Sequence, residues 1–142
     1  MENVAVERRV WINAPRQRVW QAITEPAHLE RWYAPGCPWA IPMLEASTTI
    51  KFYNTETDIQ LATIEVVEPP HQLTLRWQVD PTNPELTLVN TFLLEEENGG
   101  TQVIASQAGY ESLPDDMREQ QLEQDAEAYT AIVESLKAYL ER

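Results

Sequence analysis

Two histidines, one cysteine and 23 carboxylates are the side chains in this sequence best placed to do covalent or acid–base chemistry. His28 and His71 fall in different elements and lack the spacing of a metal-ligand pair. His28 lies in Pro26-Ala27-His28-Leu29 on a short helix and reads as a surface or packing residue. His71 reads either as a turn residue after Pro70 or as an inward residue near a cavity rim, because it shares strand parity with Leu73 and Trp77. Cys37 sits in a Pro-rich loop with no adjacent base and reads as a spectator thiol. As the sole cysteine it excludes an intramolecular disulfide. No Gly-x-Ser-x-Gly elbow marks a nucleophile, and four glycines supply no phosphate-cradling loop. Glu95-Glu96-Glu97 precedes a turn and reads as a solvated hairpin end. No catalytic residue, metal or cofactor is expected.

The aromatic residues are more informative. Trp32, Trp39, Phe52, Trp77, Phe92 and Tyr129 fall on inward faces or at a mouth, with Leu75 and Val133 on the same faces. Such residues either fill a core or line a pocket. Asn90, Gln107 and Tyr129 are the polar groups expected inside, and a buried amide or phenol needs a partner. A ligand or an ordered water would supply it. These ten residues form the candidate ligand-binding set. Trp32-Tyr33 and Trp39 flank the Pro/Gly loop 34–38 and are placed to gate a cavity. Trp11 points to the outer face of its strand, for an intermolecular contact or for a snug fit beneath its neighbours.

The elements that must position these residues follow from periodicity. Val4, Val6, Val10 and Ile12 make one apolar face of a first strand. Asn13-Ala14-Pro15 predicts a helix start with Asn as cap, followed by Val19, Trp20 and Ile23. Thr24-Glu25-Pro26 opens a second short helix carrying Leu29 and Trp32. The period then becomes two, with strands expected near 39–45, 48–54, 58–67, 71–79, 86–96 and 101–109. Asn98-Gly99-Gly100 is a hairpin signal, and short turns throughout imply an antiparallel meander. Ser112-Leu113-Pro114-Asp115 predicts a capped start for a helix reaching Glu141. Leu122, Ala126, Tyr129, Val133, Leu136 and Leu140 form its apolar stripe. At 1.5 Å per residue it is roughly 40 Å long and must lie across the sheet. The expected fold is α+β: a strand, two short helices, six strands and a long helix gripped by a curved sheet of about seven strands.

The net charge is −13. Residues 1–40 hold five bases and four acids, net +1; residues 41–110 net −8; residues 111–142 net −6. A solvated acidic surface of this kind excludes a nucleic-acid partner and an anionic membrane surface. No apolar run approaches a membrane span. A single cytoplasmic domain over residues 1–142 is the expectation. The uneven charge also suits a polar partner surface.

Several strings resemble a known family. They are Ile12-Asn13-Ala14-Pro15 before Val19-Trp20; Thr24-Glu25-Pro26 before Leu29 and Arg31-Trp32-Tyr33; Val67-Glu68-Pro69-Pro70 with Leu73 and Trp77; and Gly99-Gly100-Thr101 before Gly109-Tyr110. Tyr129, Ile132, Leu136 and Leu140 match in spacing at the end. Over essentially its whole length the chain resembles the activator of heat-shock protein 90 ATPase homologue-like domains of the START-like, birch-pollen-allergen-like (SRPBCC) superfamily. Where many members carry paired glycines before the third strand, Glu45-Ala46-Ser47 stands here. Gln107 stands at a frequent His position and Ala128-Tyr129 at a frequent Gly-Trp. The resemblance implies a helix-grip with a mainly apolar cavity. It implies binding of a small hydrophobic or amphipathic molecule without catalysis. A cyclase or dehydratase using His71 or Tyr129 is one alternative. A chaperone cofactor with a stress-response role is another, and a homodimer through the Trp11 face is a further expectation.

Overall fold

The computed structural model of the protein describes residues 5–142; Val4 of the first apolar face lies outside them. The elements are β1 (Val6–Ile12), α1 (Arg16–Thr24), α2 (Pro26–Trp32), β2 (Trp39–Ala40), β3 (Thr49–Tyr53), β4 (Ile59–Glu68), β5 (Gln72–Asp80), β6 (Asn83–Glu97), β7 (Gly100–Ala108) and α3 (Asp115–Leu140), with a 3-10 turn at Tyr110–Ser112 before α3. The strands form one antiparallel sheet in the order β1-β7-β6-β5-β4-β3-β2. This is the curved sheet around a long helix that the periodicity predicts. No helix among the described residues is long and apolar enough to cross a membrane.

The alternation of apolar residues places the core. Ile12, Val19, Ile50, Ile64, Leu94, Val103, Tyr110, Leu113 and Leu136 are almost wholly shielded from water. The hairpin between β6 and β7 closes through Asn98 and Gly99, both at positive φ, 49° and 79°. Type I′ geometry requires this, and Asn-Gly supplies it at least cost. Gly100 then opens β7 directly beneath Trp11. A Cβ there would strike the Ile12 carbonyl and the Trp11 ring.

Trp11 is accounted for within the chain. Its Nε1–H donates to the Glu97 carbonyl at 2.7 Å. The Lys137 ammonium lies 5.5 Å from its ring centroid and donates to the Trp11 carbonyl at 2.6 Å. The snug fit is the observed arrangement, so Trp11 gives no reason for a contact between molecules.

Four local expectations need correction. Asn13 does not cap α1: Pro15 holds the N-cap position with no side-chain bond, and the Asn13 N–H donates to Glu141 at the far end of α3. Ser112 does not cap α3 either. Its hydroxyl donates to the Thr87 carbonyl, and Pro114 precedes the helix. Asp115 and Asp116 still place negative charge in the first turn, where the helix dipole favours it. β2 has two residues, not seven, since Pro42 brings no N–H to a ladder. The stripe on α3 rotates near its start: Asp125, Tyr129, Val133, Leu136 and Leu140 are buried, while Leu122 and Ala126 are only half-buried.

Gly100→Ala should lower unfolding free energy by about 1–3 kcal/mol, the usual cost of overpacking, because both the carbonyl and the indole must move. Urea denaturation with an unchanged m-value and a lower midpoint is the expected result.

Candidate functional site

The sheet and α3 diverge on one side of the molecule. α3 leans on β1 and β7, at one edge of the strand order. The concave face of β3, β4 and β5 is left to α2, the loop behind it and the middle of α3. Between them lies a cavity of about 460 Å³.

Its apolar end is built by edge-to-face and tilted aromatic contacts. Trp39 pairs with Phe52 across β2 and β3, with ring centroids 4.8 Å apart. Tyr33 meets Trp39 and Phe52 edge-on, each at 5.4 Å. Trp77 meets Trp39 at 5.9 Å, and Trp32 meets Tyr33 at 5.7 Å. Edge-to-face pairs at these separations are favourable and rigid. Trp32 is locked further by its Nε1–H, which donates to the Ala22 carbonyl at 2.8 Å. The Trp39 Nε1–H is shielded from water and has no acceptor among the described residues.

The other end is a directed hydrogen-bond chain. The Asn90 amide nitrogen donates to the Tyr129 hydroxyl at 2.9 Å and, at 3.3 Å, to the Ser106 carbonyl. The Tyr129 hydroxyl donates to Gln107 Oε1 at 2.8 Å. Gln107 Nε2 donates to Asp125 Oδ2 at 2.8 Å. The Tyr110 hydroxyl reaches the same oxygen at 2.7 Å, and Gln121 Nε2 reaches Oδ1 at 3.0 Å. The chain from Asn90 through Tyr129 and Gln107, and the bonds from Tyr110 and Gln121, end on Asp125, which is 8% exposed. Register makes this possible: Asn90 and Gln107 are paired across β6 and β7, and Asp125 and Tyr129 are one helical turn apart on α3.

Burial raises the phenol pKa of three tyrosines. Tyr129 is pushed well above its ordinary 10.0, by burial first and then by the charges of Tyr33, Asp125 and Tyr110, against a lowering bond from Asn90. Tyr110 is also raised, by burial first and then by its bond to Asp125. Tyr33 rises through burial and the Asp125 charge.

Eight of the ten candidate residues border the cavity: Trp32, Trp39, Leu75, Trp77, Asn90, Phe92, Gln107 and Tyr129. Phe52 does not; it backs Trp39 and Tyr33 from behind. Val133 is buried in the core, and Ile132 borders the cavity beside it in sequence. His71 is not among the lining residues. It is exposed, its N–H closes a turn onto the Glu68 carbonyl, and its Nδ1 accepts from Arg16 at 2.7 Å. The inward alternative for His71 is therefore set aside. His28 packs as expected, with Nδ1 2.6 Å from the Tyr139 hydroxyl. The Cys37 thiol donates only to the Asn54 carbonyl. Among the described residues no group of three or more His, Cys, Asp or Glu is placed to hold a metal. Sequence reasoning missed Asp125 and Gln121. Their signal is the four-residue spacing 121–125–129, hidden because an acidic helix makes each single acid look like surface.

A curved antiparallel sheet closed by one long helix over an internal cavity defines the helix-grip class, the START-like or SRPBCC fold. A family model described as "Activator of Hsp90 ATPase homolog 1-like protein" matches residues 13–141, and the chain belongs to that family. No curated protein sequence matches it. Among solved structures, protein MLL2253 from Mesorhizobium loti is 22% identical, with TM-score 0.80, covering 99% of this chain and 98% of that one. The Aha1 dimer from Colwellia psychrerythraea is 18% identical, with TM-score 0.78, covering 97% and 96%. DynU16, a putative protein of the dynemicin biosynthetic locus, is 21% identical with TM-score 0.75; the match covers 96% of this chain and 47% of DynU16. At these identities the likeness is one of fold.

The raised tyrosines make stability fall with alkalinity. Below about pH 10 both states keep the phenol protons. Above it the unfolded chain loses them while Tyr33, Tyr110 and Tyr129 retain theirs, so the folded state binds more protons and stability drops as pH rises. Urea midpoints should decline steadily above about pH 10, and tyrosinate absorbance of these three should develop only with unfolding. An early, reversible ionisation of all tyrosines in the folded protein would contradict this.

Proposed function

We propose that the chain binds a small apolar or amphipathic molecule in this cavity and carries out no reaction on it. The observation that carries the reading is the cavity itself: about 460 Å³, walled by edge-packed aromatic rings at one end and by a hydrogen-bonded polar chain at the other. Ligand pockets typically have roughly 300–1,000 Å³ and few, well-placed polar groups. Burial of apolar ligand surface would supply about 25 cal/mol per Å². The rigid aromatic wall lowers the ordering cost of binding.

The enzymatic alternative is weaker on geometry. His71 lies outside the cavity, and the Tyr129 proton is already committed to Gln107, with its phenol held neutral. General acid–base work needs a group free to exchange a proton with the substrate.

A second reading, a chaperone cofactor, is supported by the family description and by the Aha1 neighbour. That neighbour is a dimer, which supports a homodimer here as a testable state. Recovery of a chaperone by pull-down, with a change in its ATP turnover, is the result this reading expects; neither would be seen if the chain is only a small-molecule binder.

Native mass spectrometry of protein purified from its source should reveal a co-purified small molecule. In vitro, the neutral fluorophore N-phenylnaphthylamine should brighten on binding. Ala128 borders the cavity yet is exposed, so Ala128→Trp should fill part of the cavity from its exposed margin without disturbing the core. Probe affinity should then fall about tenfold or more, of the order expected when a bulky side chain blocks apolar burial, at unchanged stability. Equal affinity in the variant would argue against this site.

A further inference from the structure

The charges bordering the cavity are of one sign. Asp58 and Asp125 line it, and no Lys, Arg or His does. Asp58 is exposed, whereas Asp125 is more than nine-tenths buried. A buried carboxylate ordinarily sits with a cation, because the neutral donors of a protein interior only partly replace water. Among the described residues Asp125 has three neutral donors and no cationic partner: Gln107, Tyr110 and Gln121. The nearest basic residue along α3, Arg118, is occupied elsewhere, donating to the Tyr110 and Leu113 carbonyls and pairing with Asp115.

A second observation is independent of that charge. Asn90 is 6% exposed and borders the cavity. Its amide nitrogen serves Tyr129 and Ser106, and its Oδ1 accepts from no described residue. This oxygen is not one of the water-shielded atoms without a partner, so it is reached from the cavity and is open to a donor there. The polar end therefore offers acceptors: an uncompensated carboxylate and a free amide oxygen. The opposite wall presents the faces and edges of Trp39, Trp77 and Tyr33, which suit an apolar or aromatic body.

We infer that the molecule held here carries a protonated amine on an apolar or aromatic body, with the ammonium seated at the Asp125–Asn90 end. This rests on the small-molecule binding proposed above and specifies its ligand class. An ammonium offers several N–H donors, enough for both acceptors, and supplies the missing positive charge in a site of low dielectric. A carboxylate or phosphate head would meet like charge and a row of acceptors. Fatty acids and phosphorylated lipids are excluded by the same chemistry.

Three probes with the same ring system test this: naphthylethylamine, naphthylethanol and naphthylacetate, titrated into the full chain by calorimetry at neutral pH. The amine should bind about tenfold tighter than the alcohol, a typical difference for a charge-assisted pair, and the carboxylate should bind weakest. Asp125→Asn should cut amine affinity about tenfold, to the level of the alcohol, while alcohol affinity changes less than about threefold. Glu123→Gln removes one charge from an exposed position on the same helix and should leave the ranking intact. The preference should also persist in about 0.5 M salt, because a buried pair is screened far less than the general pull of a −13 surface.

An amine that binds no tighter than the alcohol in the unaltered chain, or a carboxylate that binds tightest, overturns the inference even if Asp125→Asn fails to fold. A preference that survives Asp125→Asn, or disappears in salt, overturns it too. If N-phenylnaphthylamine binds but the amine gains nothing, the cavity reading stands and the ligand class is wrong. If none of the probes binds, the cavity reading falls and this inference with it.

Discussion

A helix about 10 Å across cannot cover a sheet of seven strands, which at about 4.8 Å per strand is roughly 30 Å wide. α3 is the long helix of this chain, and it packs along β1 and β7. The remaining concave face must be closed by curvature and by the short helices. Where these do not reach, a space remains. The cavity is thus a consequence of covering a broad sheet with one long helix and two short ones. The apolar burial that holds α3 at one edge also keeps the space open at the other.

The walls of that space solve two different problems. At the apolar end Tyr33, Trp39, Phe52 and Trp77 brace one another through edge-to-face and tilted contacts, so bulky rings stand around the cavity without collapsing into it. Phe52 contributes by supporting the wall, not by lining it. At the other end the problem is polar: Asn90, Gln107, Tyr129 and Asp125 are withdrawn from water and must satisfy one another. Their bonds run in one direction because each amide and phenol can donate onward until the chain ends at a carboxylate, which can only accept. That ordering leaves the polar end of the cavity facing inward with acceptors. The charge balance of the site is decided there, independently of the acidic outer surface.

The sequence made much of this legible. Period-two alternation from 39 to 109, the Asn98-Gly99 turn and the apolar spacing of the last helix require an antiparallel meander and one long amphipathic helix. Trp32, Trp39, Trp77, Phe92, Asn90, Gln107 and Tyr129 could be placed inward from parity and helical spacing. Those signals are local, and local geometry obeys them because side chains alternate on a strand and recur every turn on a helix.

Other features depend on what meets across the fold. Asn13 and Ser112 look like caps, but distant partners, Glu141 and Thr87, take their hydrogen bonds. His71 shares the parity of inward residues, yet it sits in the turn before β5 and binds Arg16. Trp11 looks like an exposed aromatic until Gly100 and Lys137 are brought against it. Asp125 is one carboxylate among nine in the last 32 residues, and nothing adjacent to it in sequence predicts burial. The sequence by itself determined the elements, their order and the apolar faces, since these follow from short-range periodicity. Only the tertiary structure decided which acid is buried, which amide oxygen is left free and where space remains. Those are outcomes of contacts between segments far apart in the chain, and no local pattern encodes them.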